Sequence, residues 1–253
     1  MAIVDIYPGV DVQNPVGWIN LTPLPPLPSG VTRAYLLRGS LKRVRRNIAL
    51  NDFDSERDTV QELNQGSGLG TLTYDEVSLH TDKRGTGLLY PEWVSPLGVG
   101  GTWLAVATYD TVSENIGVMA TSRFSGDHGF ALSFRDGGVQ TLTRQDGLQR
   151  VTQAVSPIPD GPMMGFSVLD WGNKEFSAYI PHIDEMNKNS WDSWDPIPEP
   201  GVEIGTSSSD FDDPHDNRKF LVMEWDRPLS QSEMQQAYQA LKPWLSRLGV
   251  NIA

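Results

Sequence analysis

The sequence has no cysteine, only four histidines and no long hydrophobic run. The absence of cysteine excludes disulfides, thiol catalysis and cysteine-ligated zinc. No pair of histidines has the spacing of zinc ligands. No apolar run approaches the length of a membrane span, and the first residues lack the pattern of a signal peptide. We therefore expect a chain that does not insert into a membrane.

Positive charge is also scarce, because 20 lysines and arginines face 32 aspartates and glutamates, which gives a formal net charge of −12. Binding to nucleic acid or to an anionic membrane needs a positive field, so we expect neither partner. One local exception is the basic run 41–47, which includes Arg43, Arg45 and Arg46. This run predicts either a solvated edge or a docking patch for an acidic partner.

Glycine and proline are abundant, with 24 and 18 residues, and no long helical pattern precedes residue 229. Short apolar segments alternate with turn signals such as Asp136-Gly137-Gly138 and Trp171-Gly172-Asn173-Lys174. This spacing predicts an all-β fold, a sandwich of two antiparallel sheets. Besides a strand at 34–40, the strand candidates are 71–79, 87–90, 102–109, 117–124, 129–134, 139–144, 163–169, 175–180, 202–204 and 220–225.

The last part of the chain predicts an amphipathic helix that packs on a sheet. Ser230 and Glu233 have the spacing of a capping box, and apolar residues then recur at steps of three and four. Pro243 predicts a kink or a restart of this helix. Gly249 predicts its C-terminal cap.

Residues 1–32 are rich in proline and predict an extended arm with polyproline character. The arm either wraps its own domain or docks on a partner. Its apolar side chains are too many for a solvated tail, so we expect packing to order them. The candidate docking residues in the arm are Ile6, Trp18, Ile19 and Leu21.

Four stretches of the chain carry a resemblance to a known family: residues 33–40 (Arg-Ala-Tyr-Leu-Leu-Arg-Gly-Ser), 102–107 (Thr-Trp-Leu-Ala-Val-Ala), 130–134 (Phe-Ala-Leu-Ser-Phe) and the helical ending from Leu229 to Val250. Over roughly residues 33–253 they resemble concanavalin A-like (laminin-G-like) jelly-roll domains, especially those of bacteriophage and prophage tail and fibre proteins. The resemblance implies a jelly roll whose concave face or rim loops bind carbohydrate. It also implies a virion setting, with other virion proteins and further copies of the chain as partners and a trimer as the favoured homo-oligomer.

Glycanases of this fold carry their catalytic carboxylates on one strand as Glu-x-Asp-x-x-Glu, because residues two apart share a face. Glu224 and Asp226 have this spacing, but Leu229 occupies the third position. The motif is incomplete, so we expect no catalysis. A glycan hydrolase that uses Glu224 and Asp226 stays as an alternative.

Two further groups of residues are candidate sites. The acidic run 210–216 offers Asp210, Asp212, Asp213 and Asp216 as oxygen ligands for calcium, although clustered carboxylates are also typical of a solvated loop. The stretch 190–196 places Trp191 and Trp194 beside Asp192 and Asp195. These side chains could stack on and hydrogen-bond a sugar, or the rings could pin a long loop onto the sandwich or onto another subunit.

The sequence thus predicts a docking arm at 1–32 and a jelly-roll domain at 33–253. The first hypothesis is a non-enzymatic virion protein of a phage tail, fibre or baseplate, made in the bacterial cytoplasm and requiring no cofactor other than a candidate calcium ion. A glycan-binding adhesin that recognises host surface polysaccharide is the alternative.

Overall fold

The computed structural model of the chain describes residues 23–39, 41–44, 47–49, 60–64, 72–81, 86–94, 100–108, 116–121, 129–135, 137–157, 161–192, 200–205 and 217–253. Within these ranges the chain forms two antiparallel β-sheets and a C-terminal helix. The predicted all-β, two-sheet antiparallel fold with a C-terminal amphipathic helix is confirmed. No helix in the described ranges is long and apolar enough to cross a membrane.

The first sheet has eight strands. Its order is β13-β12-β11-β6-β15-β4-β3, and β1 also pairs with β15. The strands are β1 (Val31–Leu36), β3 (Leu72–Tyr74), β4 (Leu79–Thr81), β6 (Gly101–Thr108), β11 (Pro162–Asp170), β12 (Glu175–Ile180), β13 (Glu185–Ser190) and β15 (Asn217–Trp225).

The second sheet has seven strands in the order β10-β9-β8-β7-β14-β5-β2. A short helix, α1 (Leu41–Val44), follows β1. The strands are β2 (Gln61–Asn64), β5 (Thr86–Val94), β7 (Ile116–Thr121), β8 (Gly129–Arg135), β9 (Gly138–Gln145), β10 (Leu148–Val155) and β14 (Pro200–Gly205).

The predicted strands differ from the observed ones in a few places. Segment 71–79 is not one strand but the β3–β4 hairpin, because the carboxylate of Asp75 accepts the backbone N–H groups of Val77 and Ser78 and closes a turn. The prediction missed β2, β10 and β13, which have many polar residues. The turn at 171–174 is confirmed, with the N–H of Lys174 bonded to the carbonyl of Trp171.

Two apolar cores lie on the two sides of the eight-stranded sheet. Large aromatic side chains, among them Trp93, Trp103 and Phe130, fill the space between the sheets. On the other side, the apolar face of helix α2 (Gln231–Arg247) covers the sheet with residues such as Leu241 and Trp244. Burial of these side chains supplies the main driving force for folding.

Both predicted caps of α2 are confirmed. Ser230 and Glu233 form the reciprocal capping box. At the other end, Gly249 has φ +87° and the N–H of Val250 bonds to the carbonyl of Leu245, which is a Schellman arrangement. The helix does not restart at Pro243. It runs through Pro243 because this residue lies on the exposed side, where water can bind the carbonyl left without a donor.

The described part of the predicted arm, residues 23–30, packs on the chain's own domain. Leu24 and Leu27 are half-buried against the core beneath α2. We call residues 23–30 the strap. Strand β1 follows it directly from Val31, so residues 31 and 32 belong to the sheet. The docking candidates Ile6, Trp18, Ile19 and Leu21 lie outside the described residues, as do the side chains of Arg43, Arg45 and Arg46.

Candidate functional site

The outer face of the seven-stranded sheet is the candidate functional site. Strands β8 and β9 place Phe130, Leu132, Phe134 and Val139 in the core between the sheets. Because successive side chains point to opposite faces, the residues between them point outward. A separate cluster of Ala120, Ala131 and Leu142 lies on this outer side.

The strand register arranges the outward side chains in rows across the sheet. One row is apolar and runs from Val151 through Leu142 and Ala131 to Ala120. It continues to Glu203 and Leu89 on β14 and β5. The inner members of the apolar row are buried, whereas Val151 on β10 is 37% exposed. This apolar strip, from Val151 to Ala120, is therefore accessible to solvent only at its β10 end, at Val151.

A second row, of amides, runs beside the apolar row. Gln153, Gln140 and Ser133 are register partners on β10, β9 and β8. The amide nitrogen of Gln140 donates to Oε1 of Gln153 at 2.9 Å, and that of Gln153 donates to the carbonyl of Arg135 at 2.8 Å. Each amide group has a second hydrogen and a second lone pair, so these bonds fix the amides without using all their capacity.

A third row lies on the other side of the apolar strip. Gln149 and Arg144 are register partners, and a guanidinium N–H of Arg144 donates to Oε1 of Gln149 at 2.8 Å. Gln149 is exposed and Arg144 is half-buried. The outer face thus combines an apolar strip with amide side chains on both sides. This combination suits a ligand that has both C–H faces and hydroxyl groups.

Glu224, one of the two candidate catalytic carboxylates, lies in the core between the sheets and is 1% exposed. Its Oε2 accepts the indole N–H groups of Trp93 at 2.8 Å and Trp103 at 2.9 Å. Its Oε1 accepts from Arg33 at 3.0 Å and from the hydroxyl of Thr32 at 3.2 Å. Trp93 belongs to the seven-stranded sheet and the other donors to the eight-stranded sheet, so Glu224 ties the two sheets together.

Burial raises the pKa of Glu224, while the charge of Arg33 and the hydrogen bonds from Trp93, Thr32 and Arg33 oppose that rise. Oε2 is occupied by two tryptophans of the core and Oε1 by the half-buried Thr32 and Arg33 of β1. A polysaccharide therefore has no path to this carboxylate in the observed arrangement, and its geometry is that of a structural anchor.

Asp226, the second candidate carboxylate, does not continue the strand. Strand β15 ends at Trp225, and Asp226 is exposed in the following turn, where its N–H bonds to the carbonyl of Gly30. The arrangement that the hydrolase alternative requires, with Glu224 and Asp226 on one face of a strand, is not present. The turn separates them, so one carboxylate is sealed in the core and the other lies at the surface.

Trp191 lies at the edge of the sandwich and is only 6% exposed. Its indole N–H donates to the hydroxyl of Thr143 at 2.8 Å, and the guanidinium of Arg150 stacks 4.5 Å from the ring centroid. Trp191 therefore packs its ring onto the sandwich, as the second of the two alternatives for this residue states, and offers no exposed ring face to a sugar. Asp192 next to it is fully exposed, with a carboxylate oxygen 3.7 Å from Arg150.

The remaining candidates lie outside the described residues, namely Trp194, Asp195, Asp210, Asp212, Asp213 and Asp216. The calcium site therefore stays a prediction. In the part of the chain that the structure describes, no group of three or more histidine, cysteine, aspartate or glutamate side chains could hold a metal ion.

The amide rows were not predicted because strand β10 was not predicted. A signal was available: Asp146-Gly147 follows β9 directly and is a strong hairpin turn. Beyond it, Gln149, Val151 and Gln153 alternate at every second position, as one face of a strand requires. A β9–β10 hairpin predicted from this turn would place the amides of the two strands side by side in one row.

Comparison with known proteins gives a fold and no family. No protein-family model matches the chain, and no curated protein matches it by sequence. The binding domain of botulinum neurotoxin serotype D is similar to it in structure, with a TM-score of 0.59, 9% identity and coverage of 83% of this chain and 51% of the other. The chain shares the all-β sandwich of these proteins.

Two further similar structures are a sugar complex and a sialidase. The serotype D ligand binding domain in complex with N-acetylneuraminic acid matches with a TM-score of 0.56, 9% identity and coverage of 83% of this chain and 50% of the other. Trypanosoma rangeli sialidase matches with a TM-score of 0.58, 12% identity and coverage of 86% and 34%. The chain thus spans about half of the toxin domains and a third of the sialidase.

Proposed function

We propose that this protein is a non-catalytic carbohydrate-binding domain whose contact surface is the accessible outer side of β10, with Gln149, Val151 and Gln153, and its border with β9. The observation that carries the proposal is the apolar strip between the amides of Gln153 and Gln140 on one side and the amide of Gln149 with the guanidinium of Arg144 on the other. Saccharides have C–H faces and hydroxyl groups that both donate and accept hydrogen bonds. An apolar strip and fixed amides complement these two features.

The structural neighbours support the same ligand class. One is a complex with N-acetylneuraminic acid, and another is a sialidase, of which this chain matches 34%. The fold alone does not decide a function. The rows on β8 to β10 are what connect this chain to the ligand class.

The position of Glu224 supports a binding role over a hydrolytic one. A retaining or inverting glycosidase needs two carboxylates on either side of the scissile bond. Here Glu224 is sealed by four donors and Asp226 lies in a turn outside the strand. Prolonged incubation with a polysaccharide that the protein binds is expected to leave the polymer length unchanged.

We further propose that the domain works on a bacteriophage tail, fibre or baseplate, as one of several copies, with a trimer as the first arrangement to test. The resemblance to phage tail and fibre domains supports this setting. An antibody against the protein should label particles purified from the lysed bacterial host. Particles that carry no antigen, together with no binding of the protein to any particle protein, would reject the virion setting.

A glycan array tests the binding proposal. The full chain should bind a subset of saccharides, and a variant with both Gln149→Ala and Gln153→Ala should lose that binding. Gln236→Ala, which changes an exposed glutamine on α2 on the opposite side of the molecule, is the matched control and should bind normally.

Three results would count against the proposed surface. If the array is silent for the wild-type protein, the binding function fails. If the double glutamine variant binds as the wild type does, the surface is misplaced. If Trp194→Ala abolishes binding while the glutamine variant retains it, the predicted site at Trp194 is the binding site instead.

A further inference from the structure

The strap, residues 23–30, has the exposure pattern of a polyproline helix lying in a groove. Pro23, Pro26 and Ser29 are exposed, whereas the residues between them, Leu24, Pro25, Leu27 and Pro28, are half-buried or buried. A period of three is the repeat of a polyproline II helix, which puts every third residue on one side. The outward prolines and the inward leucines therefore lie on different sides of the strap.

Two tryptophans hold the strap by its carbonyl groups. The indole N–H of Trp244 on α2 donates to the carbonyl of Pro23 at 2.9 Å. The indole N–H of Trp225 on β15 donates to the carbonyl of Pro28 at 3.1 Å. Both rings belong to the core beneath α2, against which Leu24 and Leu27 pack. We call this surface between β15 and α2 the strap groove.

These features are those by which aromatic grooves recognise proline-rich segments. The segment is already extended, so little conformational entropy is lost on binding, and tryptophan N–H groups pair with carbonyls that the segment's own backbone leaves unbonded. The strap groove fulfils this scheme with the chain's own residues. In this structure the groove holds a proline-rich segment of the same chain.

The strap is joined to the sheet through a single glycine. Gly30 has φ +94°, and a Cβ at this position would lie 2.6 Å from Oδ1 of Asp226, so only glycine fits. Strand β1 begins directly after it and pairs with β15. Ser29 and Gly30 are held by hydrogen bonds from Arg227 and Asp226, whereas residues 23–28 belong to neither sheet and can leave the groove while β1 and both sheets stay intact.

We propose that the strap of one copy binds the strap groove of a second copy when copies of this protein assemble. A second copy carries the same segment, so the match that the structure shows within one chain is available between two chains. Exchange of an identical element is a low-cost route to an oligomer. Within one chain, the strap has an effective concentration on the order of millimolar at its own groove, which favours the closed monomer. Exchange is therefore expected when copies are concentrated in an assembly, or when the linker is too short for the strap to reach its own groove.

Deletion of Ser29 and Gly30 tests the proposal on the full chain. The deletion shortens the tether by about 7 Å, so the strap no longer reaches its own groove in register. The deletion variant is expected to sediment as a dimer or larger oligomer at micromolar concentration. The same deletion with Leu24→Ala and Leu27→Ala removes the groove contacts of the strap and is expected to sediment as a monomer. A monomeric deletion variant, or equal association of both variants, would overturn the proposal.

A second measurement keeps the test decisive if the deletion variant does not fold. A labelled peptide of residues 23–30 is titrated into full-length protein that carries Leu24→Ala and Leu27→Ala, which weakens the resident strap. The peptide should bind this variant at least about tenfold more tightly than it binds the wild type, whose own strap competes. Adding Trp244→Phe, which removes one indole donor, should weaken peptide binding again. Absence of binding to the folded Leu24→Ala, Leu27→Ala variant would show that the groove takes the segment only within its own chain.

Discussion

Two polar clusters of the sandwich make an instructive comparison. The carboxylate of Glu224 is buried between the sheets, and each of its oxygens is bound by side chains of the neighbouring strands β1, β5 and β6. The amides on β9 and β10 are also fixed by hydrogen bonds, but Gln149 and Gln153 reach the surface. Both clusters are ordered by neighbouring strands. Exposure alone distinguishes a polar group that holds the fold from one that can bind a ligand.

The largest expected effect comes from breaking the sealed cluster. Glu224→Ala leaves two indole N–H groups without an acceptor in the core and removes the partner of Arg33, so we expect the free energy of unfolding to fall by about 3–5 kcal/mol. Chemical denaturation measures it. Asp226→Ala, two residues away and exposed, is the control and should change stability by less than about 1 kcal/mol.

The two roles of Glu224 can be separated in the same experiment. The folded fraction of Glu224→Ala should bind saccharide as the wild type does, because the carboxylate does not reach the outer face. A variant that stays as stable as the wild type but loses a hydrolytic activity would instead support the glycosidase alternative.

A smaller effect, on binding and not on stability, is expected from the open cluster. Gln149→Ala with Gln153→Ala should weaken binding of the saccharide selected on the array by at least about tenfold, which corresponds to about 1.4 kcal/mol. Titration calorimetry measures the affinity. The midpoint of thermal unfolding should fall far less than that of Glu224→Ala, because Gln149 is exposed and Gln153 is half-buried, although the amide of the buried Gln140 loses its acceptor on Gln153. A large loss of stability in the double variant would erase the distinction between the two clusters.

The smallest effect is expected at a third polar group, intermediate in exposure. Hydrogen bonds from Arg227 and from the backbone and hydroxyl of Ser230 lower the pKa of Glu233 to about 2. A lowered pKa stabilises the fold above the unfolded-state value of 4.5, and this contribution is lost as the pH falls from 4.5 towards about 2. Glu233→Gln should lack this part of the acid dependence and cost about 1 kcal/mol or less at neutral pH. Chemical denaturation between pH 2 and pH 7 measures the free energy of unfolding of the wild type and of Glu233→Gln. If both proteins lose the same stability as the pH falls, Glu233 does not contribute in this way.

The sequence predicted the elements whose local signals agree with the fold. The capping box at Ser230, the glycine cap at Gly249 and the apolar strands all follow from neighbouring residues, so short-range patterns sufficed. The polar edge strands β10 and β13 were missed because their stability comes from pairing with β9 and β12 and not from their own composition. Side chains also close this edge, since Asn187 and Asn189 on β13 donate to carbonyls of β10.

The candidate site was harder to predict for the same reason. Glu224 has the spacing of a catalytic carboxylate. However, its side chain points into the core, and this orientation depends on the register of β15 with β6 and on the tryptophans of β5 and β6. Trp191 likewise has a ring of the kind that stacks on sugars. Its burial depends on Thr143 and Arg150, which the tertiary fold places beside it. Long-range pairing, which a single sequence does not display, decides burial at both positions.

The structure of the protein in complex with the saccharide that binds most tightly on the array tests the central claim most directly. We expect the saccharide to lie along β10 and β9, with its C–H face on Val151 and its hydroxyl groups bonded to Gln149 and Gln153. A saccharide bound to Trp194, or against Asp226, would contradict the assignment of the outer face as the binding surface.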